Sequence, residues 1–106
     1  MPSARKPVNA AQVRAKHKEF LFPCVANYYE EPVVLVEGNG CFAKDADGRE
    51  YLDFFGGILT LGVGHAHPEV VSRVSDQITR LNHTSSLYPT EPVVNVAEKL
   101  SKIAPG

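Results

Sequence analysis

Apolar residues recur at helical spacing in three stretches of this chain and at strand-like spacing in a fourth. Val70, Val71, Val74, Ile78 and Leu81 share one face of a 3.6-residue repeat, while Glu69, Arg73, Asp76 and Arg80 fall elsewhere, which predicts a helix over residues 68–81. Pro68 in the first turn and the acid beside it suit a helix start. Val93, Val96, Ala97, Leu100 and Ile103 form a second stripe, on a helix beginning near Pro92. Glu91 suits its positive end, Lys99 and Lys102 its negative end, and Pro105-Gly106 stops it. A weaker stripe of Val13, Phe20 and Leu21 predicts a helix over residues 10–21, capped by Asn9 and ended by Pro23. Residues 82–90 read as a polar, serine-rich connector.

Between these helices the pattern changes to short strands. Residues 33–37 read as a strand, Gly38-Asn39-Gly40 as a reversal, residues 41–44 as a second strand. Asp45-Ala46-Asp47-Gly48 predicts a type I turn with glycine in the left-handed position, leading to a third strand over residues 50–54. The expected architecture is therefore an α+β segment: an N-terminal helix, a three-stranded antiparallel meander and two helices. Residues 1–8 read as a flexible arm.

The run DFFGGILTLGVGHAHP over residues 53–68 fits neither a core strand nor a core helix. Gly56, Gly57, Gly62 and Gly64 interrupt its apolar residues, which costs backbone entropy and leaves little to pack. Such glycines let a backbone come very close to a ligand or another chain. A glycine-threaded apolar loop feeding a helix reads as the wall of a site.

Composition narrows the function classes. At 106 residues, 43% hydrophobic and a formal charge of −1, the chain is at most one ordinary domain with no electrostatic case for nucleic acid or an anionic membrane. The longest uncharged stretch, residues 54–64, is too short and glycine-rich to span a bilayer. Residues 1–15 lack the apolar core of a secretory signal, so Cys24 and Cys41 read as thiols in a reducing, cytoplasmic setting. The alternative is the mitochondrial matrix, because Arg5, Lys6, Arg14, Lys16 and Lys18 precede any acid, as in organelle-targeting peptides.

Candidate chemistry is thin. His65-Ala66-His67 invites a metal, but zinc needs a third ligand and none stands at a recognisable spacing; His67 reads as the residue leading into a helix and His65 as a hydrogen-bonding loop residue. Asp45-x-Asp47-Gly48 opens like a calcium loop, yet its sixth and twelfth places hold Glu50 and Gly56 rather than glycine and glutamate. Gly62-Val63-Gly64 lacks the third glycine of a dinucleotide fingerprint, because His67 stands there. His83, Thr84, Ser85 and Ser86 are adjacent in sequence, which is not the arrangement of an activated nucleophile and its base. No catalytic, cofactor-binding or metal residue is assigned. Tyr28 and Tyr29 suit an interface, a pocket or simple packing of the arm.

The order of motifs nevertheless resembles a known family. Asn27-Tyr28-Tyr29, Pro32, Val36-Glu37-Gly38-Asn39-Gly40, Asp45-x-Asp47-Gly48, Tyr51-Leu52-Asp53-Phe54, Gly57-Ile58 and Gly64-His65-x-His67-Pro68 occur in that order. Gln77, Leu81-x-His83 and Tyr88 follow. Together they resemble the N-terminal segment of class-III, pyridoxal-phosphate-dependent aminotransferases over residues 13–106. FLFPCVANYYEEP and FFGGILTLGVGHAHP resemble the alanine–glyoxylate, mitochondrial-type branch most.

The resemblance implies a fold-type-I PLP transferase longer than this chain. Residues 9–64 would be the N-terminal helix, meander and glycine loop of its small domain, and residues 65–106 a helical lead-in to a large α/β domain absent here. It also implies an active site at a homodimer interface. Tyr28, Ile58 and Leu59 match positions that line the substrate pocket, and Ser86 and Leu87 match a connector approaching the partner subunit's site. Apolar side chains at Ile58 and Leu59 imply a pocket without a polar handle for a large basic substrate.

The implied reaction moves an amino group from an amino acid to a keto acid or glyoxylate, with pyridoxal 5′-phosphate as cofactor. The family's cofactor lysine, its buried aspartate and its phosphate-binding turn match nothing here, so the isolated chain is expected to be inactive. It is also expected to pack loosely alone, since three short strands are near the lower limit of independent stability. Two other readings are a non-catalytic interaction module binding a full-length aminotransferase, and a small metal or calcium protein.

Overall fold

The computed structural model describes residues 6–25 and 27–105. The first part of the expected arm, residues 1–5, lies outside the described residues, as do Ala26 and Gly106. The chain forms two compact units, the first ending at Val71 and the second beginning at Ser72.

The first unit opens with α1, Ala10–Phe20. Asn9 caps it as expected, its side chain accepting a hydrogen bond from the Gln12 N–H at 3.0 Å. The helix stops one residue before the expected end: Leu21 is already extended, its N–H bonded to the His17 carbonyl.

The meander follows as β1 (Leu35–Asn39), β2 (Phe42–Asp45) and β3 (Glu50–Leu52), paired antiparallel in that order. β1 starts and ends two residues later than the sequence suggests. Gly38 and Asn39 belong to the strand, and the reversal is the two-residue link Gly40-Cys41, with Gly40 at φ +54°. Gly38 is glycine because a Cβ there would meet the His65 ring at 2.5 Å, so close approach rather than a turn explains it. A bulge at Val36 shifts the register between Leu35↔Asp45 and Glu37↔Lys44. β3 is two residues shorter than expected, because the Asp53 carboxylate turns the chain away from the sheet.

The β2–β3 link is the expected type I turn, with Gly48 at φ +88° and its N–H bonded to the Asp45 carbonyl at 3.1 Å. Asp45 is buried and fully engaged. Its Oδ1 accepts from the Asp47 and Arg49 N–H groups at 2.9 and 2.8 Å, and its Oδ2 from the Tyr51 hydroxyl at 2.7 Å. That use of both oxygens is the turn reading of Asp45-x-Asp47-Gly48, not a calcium loop.

The Tyr51 hydroxyl bond, with the two backbone donors, holds the Asp45 carboxyl below its usual range, and in return pushes the Tyr51 phenol up. A depressed carboxyl stabilises the fold above its unfolded pKa, and that contribution is lost as pH falls through the folded value. Tyr51→Phe is therefore expected to move the Asp45 carboxyl titration to higher pH, read by carbon NMR; an unmoved titration contradicts the account.

The second unit contains most of α3 (Pro68–Arg80), a connector, and α4 (Glu91–Ile103), both helices within a residue or so of their expected ends. Among the described residues their stripes are only partly covered: Val70, Val74, Ile78, Val93, Val96, Leu100 and Ile103 are all exposed. Across the described residues only Ala10 and Ala43 are buried apolar residues. A domain held by its own core buries many side chains, each worth about 1.5–3 kcal/mol when fully covered. Here that stabilisation is left unrealised.

Candidate pocket wall

Asp53 begins the glycine-threaded run. Its Oδ1 accepts from the N–H groups of Phe55 and Gly56, each at 2.9 Å, and its Oδ2 lies 2.7 Å from His65 Nε2. The Gly56 N–H foremost, then His65 and the Phe55 N–H, lower the Asp53 pKa and keep it ionised as an acceptor. His65 is in turn tied to the hairpin by two backbone bonds, its N–H to the Gly40 carbonyl at 2.8 Å and its carbonyl to the Gly40 N–H at 2.9 Å. His65 is thus the hydrogen-bonding loop residue expected of it, and the His67 carbonyl accepts the Val71 N–H at the start of α3.

Between Asp53 and His65 the backbone makes a feature the sequence reading missed. Residues Gly56, Gly57, Ile58 and Leu59 all have positive φ, at 52°, 60°, 63° and 62°. With ψ of 42° at Gly57 and 54° at Ile58, this single turn, α2 (Gly56–Leu59), is left-handed. Leu59 N–H bonds the Phe55 carbonyl at 3.1 Å, Thr60 N–H bonds the Gly56 carbonyl at 2.9 Å, and the Thr60 hydroxyl donates to the Gly57 carbonyl at 2.8 Å. Glycine tolerates this at two of the four positions; Ile58 and Leu59 do not, at about 1–2 kcal/mol each. Strained backbone of this kind gathers at functional sites. Both strained side chains point outward, Ile58 73% and Leu59 89% exposed.

The other sequence-predicted positions lie elsewhere. Tyr28 is 92% exposed in the segment after α1. Its neighbour Tyr29, not Tyr28, lines an open cleft of about 660 Å³ with Arg14, His17, Phe22 and Pro32. In the second unit Ser86 lines a cleft of about 450 Å³ with Gln77, Leu81, His83, Thr90 and Val93, while Leu87 stands exposed beside it. Ile58 and Leu59 sit in α2, while Tyr28, Ser86 and Leu87 lie outside helices and strands.

The residues present do not fit pyridoxal phosphate. All six lysines are exposed, and Lys102 is paired with Glu98 at 2.6 Å, so no lysine sits in the enclosed apolar setting that a covalent cofactor requires. Among the described residues no group of three or more His, Cys, Asp or Glu is placed to hold a metal ion, and no helix is long and apolar enough to cross a membrane.

Comparison with known proteins gives the family. The aminotransferase class-III family model matches residues 24–106. The chain is 40% identical over 105 residues to alanine–glyoxylate aminotransferase 2, mitochondrial, of Homo sapiens, covering 99% of this chain and 20% of that protein. It is 50% identical over 74 residues to acetylornithine aminotransferase of Mycobacterium leprae, covering 70% of this chain and 18% of that protein. An (S)-enantioselective omega-transaminase from Thermomicrobium roseum matches 96% of this chain and 24% of its own, with a TM-score of 0.82 and 31% identity. The chain belongs to the class-III aminotransferase family. It spans about a fifth of the length of the curated relatives it matches.

Proposed function

We propose that these residues form one wall of the substrate pocket in a PLP-dependent class-III transaminase, with the catalytic machinery supplied by the remainder of that enzyme. The observation that carries this is α2: a strained left-handed turn, clamped from behind, that leaves Ile58 and Leu59 largely exposed. In this reading Ile58, Leu59 and Tyr28 contact substrate, and Ser86 and Leu87 approach the partner subunit of a homodimer. The parent enzyme moves an amino group from an amino acid to a keto acid or glyoxylate. The uncovered stripes of α3 and α4 are surfaces that the rest of the enzyme closes. A reducing compartment such as the cytoplasm suits the two exposed, unpaired thiols, Cys24 and Cys41.

The cofactor then belongs to the rest of the enzyme. Incubating the purified 106-residue chain with pyridoxal phosphate and borohydride is expected to trap no site-specific lysine adduct and to show no alanine–glyoxylate exchange. The full-length enzyme is expected to give both. A stoichiometric adduct at one lysine of the short chain, with turnover, overturns the proposal.

A further inference from the structure

We infer that Asp53 is a positioning residue for substrate recognition: tied at one oxygen to the start of α2 and at the other to His65, it fixes Ile58 and Leu59 where substrate meets them. The inference rests on the pocket-wall reading above and deepens it.

The left-handed turn's own hydrogen bonds work against strain, because two of its four residues carry β- or γ-branched side chains at positive φ. Something must over-determine it. From the front nothing does, since Ile58 and Leu59 are largely exposed. From behind, Asp53 Oδ1 binds the N–H of Phe55, which immediately precedes the turn, and the N–H of Gly56, its first residue. Asp53 Oδ2 binds His65 Nε2 at 2.7 Å.

His65 is itself held on two sides. Its backbone is bonded twice to Gly40, and its ring lies over Gly38, where a Cβ would sit 2.5 Å from the ring carbon Cγ. A continuous chain of hydrogen bonds and close contact therefore runs from the meander through His65 and Asp53 to the turn. At its far end stand two apolar side chains and no charge. That wall suits an amino donor with a short, uncharged side chain and gives a long basic side chain no partner.

The test uses the full-length holoenzyme with alanine as a short donor and ornithine as a basic one. Asp53→Ala is expected to raise KM for alanine about tenfold while kcat falls less than about threefold, because the wall moves and the cofactor does not. The cofactor's absorbance stays unchanged. Asp53→Asn keeps an acceptor for the two N–H groups and is expected to restore most of the KM.

Leu59→Ala is measured in parallel, and the double variant Asp53→Ala/Leu59→Ala is expected to be no worse than the poorer single, since both act through one turn. If Leu59→Ala leaves KM unchanged, the pocket-wall reading fails. If Leu59→Ala raises KM and Asp53→Ala does not, or the two effects add in full, the positioning role of Asp53 fails while that reading stands. Should Asp53→Ala not fold, His65→Gln supplies the same comparison, with an unchanged KM for alanine counting against the inference.

Discussion

In the longer transaminase proposed above, replacing Gly64 with alanine is expected to destabilise the fold by about 3 kcal/mol or more, whereas Gly48→Ala costs about 1–2 kcal/mol. Both glycines have positive φ, +81° and +88°, so both substitutions incur backbone strain. They differ in what a Cβ meets. At Gly48 there is open space, but at Gly64 the Cβ lands 2.7 Å from the Gly40 carbonyl oxygen and 2.9 Å from its carbon. Those are backbone atoms in the Gly40–His65 bridge, so relief requires breaking the two bonds that anchor His65. The extra cost is the loss of those bonds, about 0.5–1.5 kcal/mol each. Thermal midpoints of the two variants measure the difference, and equal losses contradict the close-approach explanation of Gly64.

The second large effect reverses sign with context. Val96→Glu combined with Leu100→Lys is expected to leave the secondary structure of the isolated chain unchanged and to reduce its self-association. Both residues are already more than half exposed, so the charges desolvate nothing. In the full-length enzyme the same pair is expected to prevent stable folding. Two lost apolar burials cost about 1.5–3 kcal/mol each, and two buried charges add a desolvation penalty. Sedimentation of the chain and soluble yield of the enzyme report the two outcomes. A variant enzyme as stable as the parent contradicts the claim that the α4 stripe is an interior surface.

Much of the fold was legible because its signals are local. The Asn9 cap, the Asp45–Gly48 turn and the apolar stripes of α3 and α4 each depend on residues within a few positions of one another. The strands were misplaced where the cause is distant. Gly38 looks like a turn glycine in sequence, yet it is a strand residue kept bare for the His65 ring, twenty-seven positions on. The Asp53–His65 pair joins residues twelve apart and has no periodic signature.

The candidate site shows the same division. Glycine spacing marked the run for close approach, which holds at Gly64 against the Gly40 backbone but not at Gly62, where a Cβ would meet open space, and family resemblance singled out Ile58 and Leu59. Nothing in an isoleucine or a leucine announces a positive φ. The available clue was Asp53 two and three residues before Phe55 and Gly56, an arrangement in which a carboxylate caps the following N–H groups.

Amide hydrogen exchange on the isolated 106-residue chain, residue by residue, tests most directly the central proposal that these are surfaces closed by the rest of a transaminase. The account predicts slow exchange only within the meander and the Gly40–His65 bridge, with α3 and α4 exchanging much faster than the meander. Strong, uniform protection of α3 and α4 in that chain contradicts it, because such protection requires a core that the chain builds for itself.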